Sequence, residues 1–200
     1  MDVKWLPQLR PATKQDAVQL AVLMDIASHG LVSWYWSTLV SVGQSPLEIG
    51  RDRLQGRHDL SSHFSHWTIA EIEGEIVGAF AGYVIPNPYN PGDVKDLPKV
   101  YAPILELESL AAGYWYLMSL SVYPEFRRKG IGSSLLQAAI LQAKGYPVNH
   151  MTLTVSSANK EALALYSQIG FNEMARRNYV AFPGSREVGE WILLSKELNS

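Results

Sequence analysis

The sequence predicts an α/β fold with a mixed central sheet of about six or seven strands flanked by about four helices. Three observations predict it. An apolar run over residues 115–122 is followed by a basic, glycine-containing stretch and then by a helical pattern. Two apolar runs flank Glu73-Gly74 as an antiparallel hairpin. Residues 171–182 and 190–194 form a second predicted hairpin near the end of the chain.

The first quarter of the chain carries one predicted strand and two helix starts. The strand ends over residues 9–11. Thr13 with Asp16, and Ser45 with Glu48, have the three-residue spacing of helix N-caps, in which a side chain accepts from a backbone N–H of the first turn. We therefore expect a helix after each pair.

The remaining elements lie in the second half of the chain. Residues 86–103 contain five prolines and predict a long loop, which in a compact domain is usually functional or mobile. A short helix over 102–112 is expected to follow. Residues 151–155 alternate as a fifth strand, and residues 159–169 predict a helix ended by Gly170.

Composition predicts one domain over residues 1–200, because 47% hydrophobic content supports one substantial core and no composition shift marks a second. A net charge of −2 gives no general attraction to nucleic acid or to a membrane surface. The chain has no cysteine, no secretory pattern and no apolar run of transmembrane length. We therefore expect a cytoplasmic protein without nucleic-acid or membrane partners, and a homodimer is compatible with the sequence.

The stretch after residue 122 predicts an anion-binding site. The first turn of a helix has backbone N–H groups without partners and a partial positive charge. Two glycines let a phosphate approach those amides, and three adjacent cations add charge. A diphosphate is the expected ligand of the residues Arg127, Arg128, Lys129, Gly130, Ile131, Gly132 and Ser133.

Two common nucleotide-binding motifs do not match this stretch. Leu135 stands where the dinucleotide fingerprint has its third glycine, and no acidic residue lies at the expected downstream position. The triphosphate-binding loop requires Gly-Lys followed by Ser or Thr, and the chain contains no Gly-Lys pair. The expected ligand is therefore a diphosphate of another kind.

Two motifs together resemble the GNAT N-acetyltransferase superfamily. The first is Arg127-x-x-Gly130-x-Gly132 between a strand and a helix, which resembles the family's acetyl-CoA pyrophosphate loop. The second is similar to the family's Asn-x-x-Ala-x-x-Leu-Tyr-x-x-x-Gly-Phe segment and comprises Asn159, Ala162, Leu165, Tyr166, Gly170 and Phe171. The resemblance covers roughly residues 115–172 and is looser towards the N-terminus.

The resemblance implies acetyl-CoA as co-substrate and direct transfer of its acetyl group to a primary amine of a small molecule or peptide. It implies that Tyr166 is the general acid, since a phenol is protonated at neutral pH and can donate to a thiolate. It also implies cofactor contacts from the basic stretch, from Asn159, and from strand residues whose backbone pairs with the pantetheine arm: Leu120, Ser121 and Val122.

The general base is left open by the sequence. An alkylammonium with a pKa of about 10.4 is almost fully protonated at pH 7, so a carboxylate is expected to accept its proton directly or through water. Glu106 and Glu108 precede the strand and are candidates, as is water alone. A non-catalytic acyl-CoA sensor on the same fold is the alternative function, and the acceptor amine is not identified.

Two further patterns each have two interpretations. After a helix expected to end near Gly30, the aromatic segment Trp34–Trp36 either covers the core or, as the resemblance to the GNAT superfamily implies, forms one wall of the acceptor site. His58, His63 and His66 raise the question of a metal, but no cysteine and no helical His-x-x-x-His pattern accompany them. We therefore expect no metal.

Overall fold

The computed structural model describes residues 6–56, 61–92, 97–185 and 188–198. Within them lie seven strands: β1 (Gln8–Pro11), β2 (Trp67–Ile72), β3 (Glu75–Val84), β4 (Trp115–Val122), β5 (His150–Ser156), β6 (Asn172–Asn178) and β7 (Glu190–Glu197). The α-helices are α1 (Ala17–Ala27), α2 (Leu31–Ser37), α3 (Pro46–Gln55), α4 (Ala102–Ser109), α5 (Ile131–Lys144) and α6 (Lys160–Ile169).

The strands form one mixed sheet in the order β1-β2-β3-β4-β5-β7-β6. This confirms the predicted α/β class and strand number. About four helices are predicted from the sequence, and the described residues contain six. One of the additional helices, α2, begins directly after Gly30, whose φ of 87° turns the chain sharply out of α1.

Contacts divide the chain into two compact units. Unit 1 comprises Met1–Gly82 and Ser119–Ala139, and unit 2 comprises Tyr83–Met118 and Ile140–Ser200. Strand β4 therefore contributes its first half to unit 2 and its second half to unit 1. The single domain expected from composition stays a prediction.

In unit 1, β1, β2 and β3 pair antiparallel. Glu73 and Gly74 connect β2 and β3 with φ angles of 53° and 82°, as a tight two-residue hairpin turn requires, which confirms the first predicted hairpin. The Thr13–Asp16 capping box forms as predicted and opens a short 3₁₀ turn that leads into α1. Arg10 stabilises the N-terminal end of this turn, because it forms salt bridges with Asp16, at 2.8 Å, and with Glu71, at 2.6 Å.

The aromatic segment of unit 1 lies within α2, not in a connection between two helices as expected. Trp36 is only 3% exposed, and its ring packs on α3 so closely that a Cβ on Gly50 would lie 2.5 Å from it. Trp36 is therefore a core residue. Trp34 and Tyr35 are half-buried, and the Arg53 guanidinium lies 5.7 Å from the centre of the Tyr35 ring.

In unit 2, the first half of β4 pairs parallel with β5, and β7 pairs antiparallel with both β5 and β6. The predicted C-terminal hairpin is confirmed, although β6 ends at Asn178 rather than at residue 182. Helix α4 packs on β5, β6 and β7. It ends at Ser109 rather than at residue 112. Helix α6 ends at Ile169, and the following Gly170 has the left-handed conformation expected of a C-cap.

Across the described ranges, no single helix is long and apolar enough to span a membrane. The consecutive segments Lys14–Ala27 and Leu31–Ser37 reach that length and apolarity only when taken together, with a bend of 117° between them.

Candidate functional site

The basic loop, residues 127–132, lies in unit 1 between the second half of β4 and the start of α5. A short 3₁₀ turn, Pro124–Phe126, ends the strand segment. Arg128 and Gly130 then have φ angles of 64° and 83°, both in the left-handed region. Backbone turns with left-handed residues form concavities that bind anions, and this one leads directly into a helix N-terminus.

Gly132 leaves open space at the first turn of α5. A Cβ built there would meet only the Val122 Cγ2 atom, at 4.0 Å. The first helical turn is therefore accessible to a ligand from this side, and its amide groups are available since the first N–H groups of a helix have no intrahelical acceptor. The first i-to-i−4 hydrogen bond of the helix runs from the Ser134 N–H to the Gly130 carbonyl, at 3.1 Å. The loop thus fits an anionic diphosphate.

The three cations of the basic loop differ in their contacts. Arg127 donates from Nε to the Val122 carbonyl at 3.2 Å, and its side chain is exposed. Lys129 donates from Nζ to the Glu125 carbonyl at 3.0 Å and lies 5.1 Å from the centre of the Phe126 ring. Arg128 is exposed. Arg127 and Lys129 therefore hold the loop as well as adding positive charge to it.

Among the other predicted cofactor residues of unit 1, some have side chains that are buried or hydrogen-bonded within the protein. The Ser121 hydroxyl is buried and donates to the Leu23 carbonyl of α1 at 2.7 Å. The Ile131 side chain is buried, while Leu120 and Ser133 are half-buried. Contacts of Ser121 and Ile131 with a cofactor would thus come from their backbone. The structure brings the predicted residues 120–122 and 127–133 together in this unit.

Asn159 lies in unit 2 and caps α6. Its Oδ1 atom accepts from the Ala162 N–H at 3.1 Å, which is the N-cap arrangement. The structure thus gives Asn159 a helix-capping function, and its predicted contact with a cofactor stays a prediction.

Tyr166 is carried by α6 and is 9% exposed. Its ring makes an edge-to-face contact with Phe171, with 5.8 Å between ring centres. Burial raises the pKa of Tyr166 to about 12, so the phenol is protonated throughout the neutral range. A buried and protonated phenol is suited to donate a hydrogen bond or a proton to a ligand atom.

The two candidate bases, Glu106 and Glu108, have different environments on α4. The Glu106 side chain is 60% exposed and is paired with Arg177 of β6, with 2.6 Å between Nε and Oε2. Glu108 is half-buried, and burial raises its pKa to about 7, against the lowering effect of hydrogen bonds from Tyr89 and Tyr116. The raised pKa of Glu108 suits a general base at neutral pH.

Glu108 belongs to a tyrosine–glutamate cluster, which comprises Tyr83, Tyr89, Glu108 and Tyr116. The Tyr89 hydroxyl donates to Glu108 Oε2 at 3.1 Å. Tyr116, on β4, is 4% exposed and hydrogen-bonds the same carboxyl group. The Tyr83 ring, at the end of β3, meets the Tyr116 ring edge-on at 6.0 Å. All four residues lie in unit 2.

Sequence reasoning missed the three tyrosines of this cluster. Residues 115–122 contain no carboxylate, and Tyr116 is the one ionisable side chain of that strand. Tyr89 belongs to the proline-rich loop, where no periodicity predicted an inward side chain. The presence of a phenol within a largely apolar strand was the available signal, because a buried phenol requires a hydrogen-bond partner.

The histidines do not form a metal site in the described residues, among which no cluster of three or more His, Asp or Glu side chains could hold an ion. His63 Nδ1 lies 2.8 Å from the Ser65 hydroxyl and accepts from the Ser65 N–H. His58 lies outside the described residues.

Comparison with known sequences gives a family match over most of the chain. The sequence model of the acetyltransferase (GNAT) family matches residues 29–171, which include the basic loop, Glu108 and Tyr166.

Two relatives illustrate the sequence similarity. An N-alpha-acetyltransferase of Sulfurisphaera tokodaii is 30% identical over 125 residues, which cover 61% of this chain and 66% of the relative. A [ribosomal protein bS18]-alanine N-acetyltransferase of Escherichia coli K12 is 38% identical over 72 residues, which cover 36% of this chain and 49% of the relative. The chain thus matches less than two thirds of the length of either relative.

A solved structure described as an acetyltransferase has the same fold. It superposes with a TM-score of 0.65 at 22% sequence identity, and the match covers 96% of this chain and 100% of that one. The similarity at this identity supports the predicted architecture and nothing further about chemistry.

Proposed function

Since this chain belongs to the acetyltransferase (GNAT) family, we propose that it is an acetyl-CoA-dependent N-acetyltransferase that transfers the acetyl group directly to a primary amine. One observation carries the proposal. The basic loop has left-handed residues at Arg128 and Gly130 and opens a helix whose first turn is accessible at Gly132. This is the backbone arrangement that a diphosphate requires.

Acetyl-CoA, when bound, supplies an acetyl thioester, which is an activated acyl donor. In this proposal the backbone N–H groups of residues 130–133 bind the diphosphate, and the exposed Arg127 and Arg128 side chains complement its charge. The backbone of residues 120–122 is proposed to bind the pantetheine arm as an added strand would. Asn159 is retained as a proposed cofactor contact beside its capping function.

Tyr166 is proposed as the general acid. Its raised pKa keeps the hydroxyl protonated, so it can donate to the sulfur as negative charge develops there. Complete transfer to a thiolate of ordinary pKa, about 8.5, is uphill from such a phenol. We therefore expect proton transfer from Tyr166 to be coupled to loss of a proton from the attacking nitrogen.

The acceptor is proposed to be the primary amine of a small molecule or peptide. The names of both relatives favour a peptide α-amine, since one is an N-alpha-acetyltransferase and the other modifies an alanine of a ribosomal protein. Trp34, Tyr35 and the loop 86–103 are proposed to set the choice of acceptor, whereas Trp36 is excluded by its place in the core.

No observation favours the non-catalytic sensor. A cytoplasmic location and a homodimer both stay predictions.

Calorimetry with acetyl-CoA tests the cofactor half of the proposal. The parent protein is expected to show saturable binding, with NAD giving none. Gly132→Glu should weaken binding because it places a carboxylate at the amides of the first turn, where there is room for a side chain. Gly132→Gln is the matched control, since it has the same shape without the charge and should bind more tightly than Gly132→Glu. Saturable NAD binding without acetyl-CoA binding would overturn the proposal.

Measurement of the CoA thiol released in the presence of a panel of amines tests the proposed acetyl transfer. The panel contains an alanine-initiated peptide, the same peptide with a blocked N-terminus, a polyamine and a free amino acid. Acetylation of an unblocked amine is expected, with mass spectrometry identifying the product. Tight acetyl-CoA binding with no transfer to any primary amine would favour the sensor.

A further inference from the structure

We propose that Glu108 is the group that accepts the proton of the incoming amine, and that Tyr89 and Tyr116 are positioning residues that hold its carboxylate for this step. The inference rests on the proposed function and identifies a base that the sequence left open between Glu106, Glu108 and water. Three separate segments bring these side chains together: the loop before α4, α4 itself and β4.

The geometry distinguishes Glu108 from its neighbour. Glu106 is exposed and is occupied by Arg177, so a cation already neutralises it. Among the residues that the structure describes, the partners of Glu108 are uncharged donors: the Tyr89 hydroxyl, at 3.1 Å, and the Tyr116 hydroxyl on the same carboxyl group. A carboxylate held by neutral donors retains its negative charge for a cationic ligand.

Within the described ranges, the elements packed against α4 carry few other charged side chains on the sheet face that bears Tyr116. Successive side chains of a strand point to opposite faces of a sheet, so the strand registers show which residues share a face with Tyr116. These include His150 and Thr154 of β5, Arg177 of β6 and Glu197 of β7. The short turn before α4 carries Lys99 and Tyr101. Of these, Arg177 pairs with Glu106, and the groups that shift the pKa of Glu108 beside burial are Tyr89 and Tyr116.

Within the cluster the carboxyl group is the only suitable acceptor. Burial and the charge of Glu108 raise the pKa of Tyr116 well above 10 and also raise that of Tyr89, so both phenols remain protonated donors. Glu108, with a pKa of about 7, exchanges a proton in the neutral range. An acceptor with this pKa can take a proton and return it to solvent in each cycle.

The cluster is closed on the side of the sheet and open on the other. Tyr116 is 4% exposed, and it holds the carboxyl group from the sheet side. Tyr83, Tyr89 and Glu108 are each half-buried, so part of the surface of each residue is exposed to solvent. A base that is partly desolvated yet reachable can meet an incoming ammonium and afterwards lose its proton to water.

The proton balance follows from these roles. Glu108 takes one proton from the acceptor ammonium, which frees the nitrogen lone pair to form the new carbon–nitrogen bond. As the carbon–sulfur bond breaks, Tyr166 donates a proton to the sulfur and is reprotonated by the second proton that the nitrogen loses. Glu108 then releases its proton to solvent, so each acetylated ammonium yields one amide, one thiol and one free proton.

Carbon-13 NMR of glutamate-labelled protein tests the base without requiring turnover. One carboxyl resonance is expected to titrate between about pH 6 and 8, far above the ordinary glutamate range near 4.3. It should disappear in Glu108→Gln and persist in Glu106→Gln, the matched variant two residues earlier on α4. Absence of such a resonance, or its persistence in Glu108→Gln, would overturn the inference.

The pH dependence of kcat/KM tests the step itself, with the alanine-initiated peptide as acceptor. Glu108→Gln is expected to lower kcat/KM by about 10²- to 10⁴-fold with acetyl-CoA affinity nearly unchanged. Equal rates for the parent and Glu108→Gln, or a loss confined to Glu106→Gln, would overturn this inference alone. A parent that binds acetyl-CoA yet transfers to no amine would instead overturn the proposed function.

Tyr89→Phe tests the positioning role in a variant that keeps the aromatic ring. Removal of one donor should raise the pKa of Glu108, so both its NMR titration and the acidic limb of kcat/KM move to higher pH by about one unit. Activity lost at pH 7 should return above about pH 8. A uniform loss of rate at all pH values, without a shift of the carboxyl resonance, would reduce Tyr89 to a packing residue.

Discussion

The basic loop and the tyrosine–glutamate cluster are built in opposite ways. The basic loop is a contiguous segment whose conformation follows from residues next to one another, including the left-handed Arg128 and Gly130. The cluster gathers Tyr89, Glu108 and Tyr116 from three segments, and only the folded chain brings them to one carboxylate. We propose that the basic loop binds an anion through its own backbone, and that the cluster holds a carboxylate and sets its pKa.

This difference predicts which measured property changes when residues of each region are substituted. The basic loop depends on its backbone conformation and on the charge near its amide groups, so substitutions in it should change the affinity for the cofactor. A cluster of partly buried ionisable groups depends on desolvation and on its donors, so its variants should change rates and pH dependence. The following experiments test that division, in order of decreasing expected effect.

Tyr166→Phe should give the largest effect on chemistry. The variant removes only the hydroxyl and keeps the ring contact with Phe171, so the fold should survive. The transfer rate is expected to fall by about 10²- to 10⁴-fold, or about 3 to 5 kcal/mol of barrier, with little change in acetyl-CoA dissociation constant. A rate within about threefold of the parent would mean that water or another group supplies the proton. Denaturation curves of both proteins provide the control.

Glu108→Gln should change the pH dependence of stability. In the parent, the pKa of Glu108 is raised by burial from 4.5 to about 7, so its contribution to stability is full below pH 4.5 and is lost as pH rises through 7. The amide of the variant does not titrate. The free energy of unfolding of the variant, measured by urea denaturation relative to the parent, should therefore increase by up to about 3 kcal/mol between about pH 4.5 and 8. A constant difference across this range would contradict a raised pKa of Glu108.

Two glycines of the basic loop should respond to alanine with opposite signs. Gly130→Ala forces a side chain into a left-handed backbone, with φ at 83°, and should cost about 1 to 2 kcal/mol of stability. Gly132→Ala adds a methyl group in open space within the first turn of α5 and should stabilise by up to about 1 kcal/mol. Thermal denaturation measures both. The same sign for the two variants would show that the loop does not have this conformation.

The smallest effect is expected from Arg177→Ala. The pair with Glu106 is exposed, and such pairs contribute at most about 1 kcal/mol. Unfolding free energies in low and high salt should therefore differ little between this variant and the parent, and the titration of Glu108 should not move. A shift of that titration would mean that Arg177 contributes to the cluster after all.

The agreement between sequence and structure follows the same division. The Glu73-Gly74 turn, the two capping boxes and the left-handed Gly170 were predictable, because each depends on side chains within a few residues of the backbone groups they satisfy. The α2 helix was missed because its N-cap residue is Gly30, which has no side chain. The first-turn N–H groups of Val32 and Ser33 instead donate to Ser28 and Asp25, which lie further back in the chain. The extent of α4 was also misjudged, because a short apolar run gives weak periodicity.

The sequence by itself determined the strand–loop–helix order around residues 115–137, and with it the position of the basic loop, because hydrophobic period, glycine and proline act on the nearest few residues. Only the tertiary structure decided between Glu106 and Glu108. The two residues are separated by a single leucine on the same helix and have the same side chain, yet one meets Arg177 and solvent while the other meets two phenols. Burial and partner charge set the pKa of a carboxyl group, and both are supplied by residues distant in sequence.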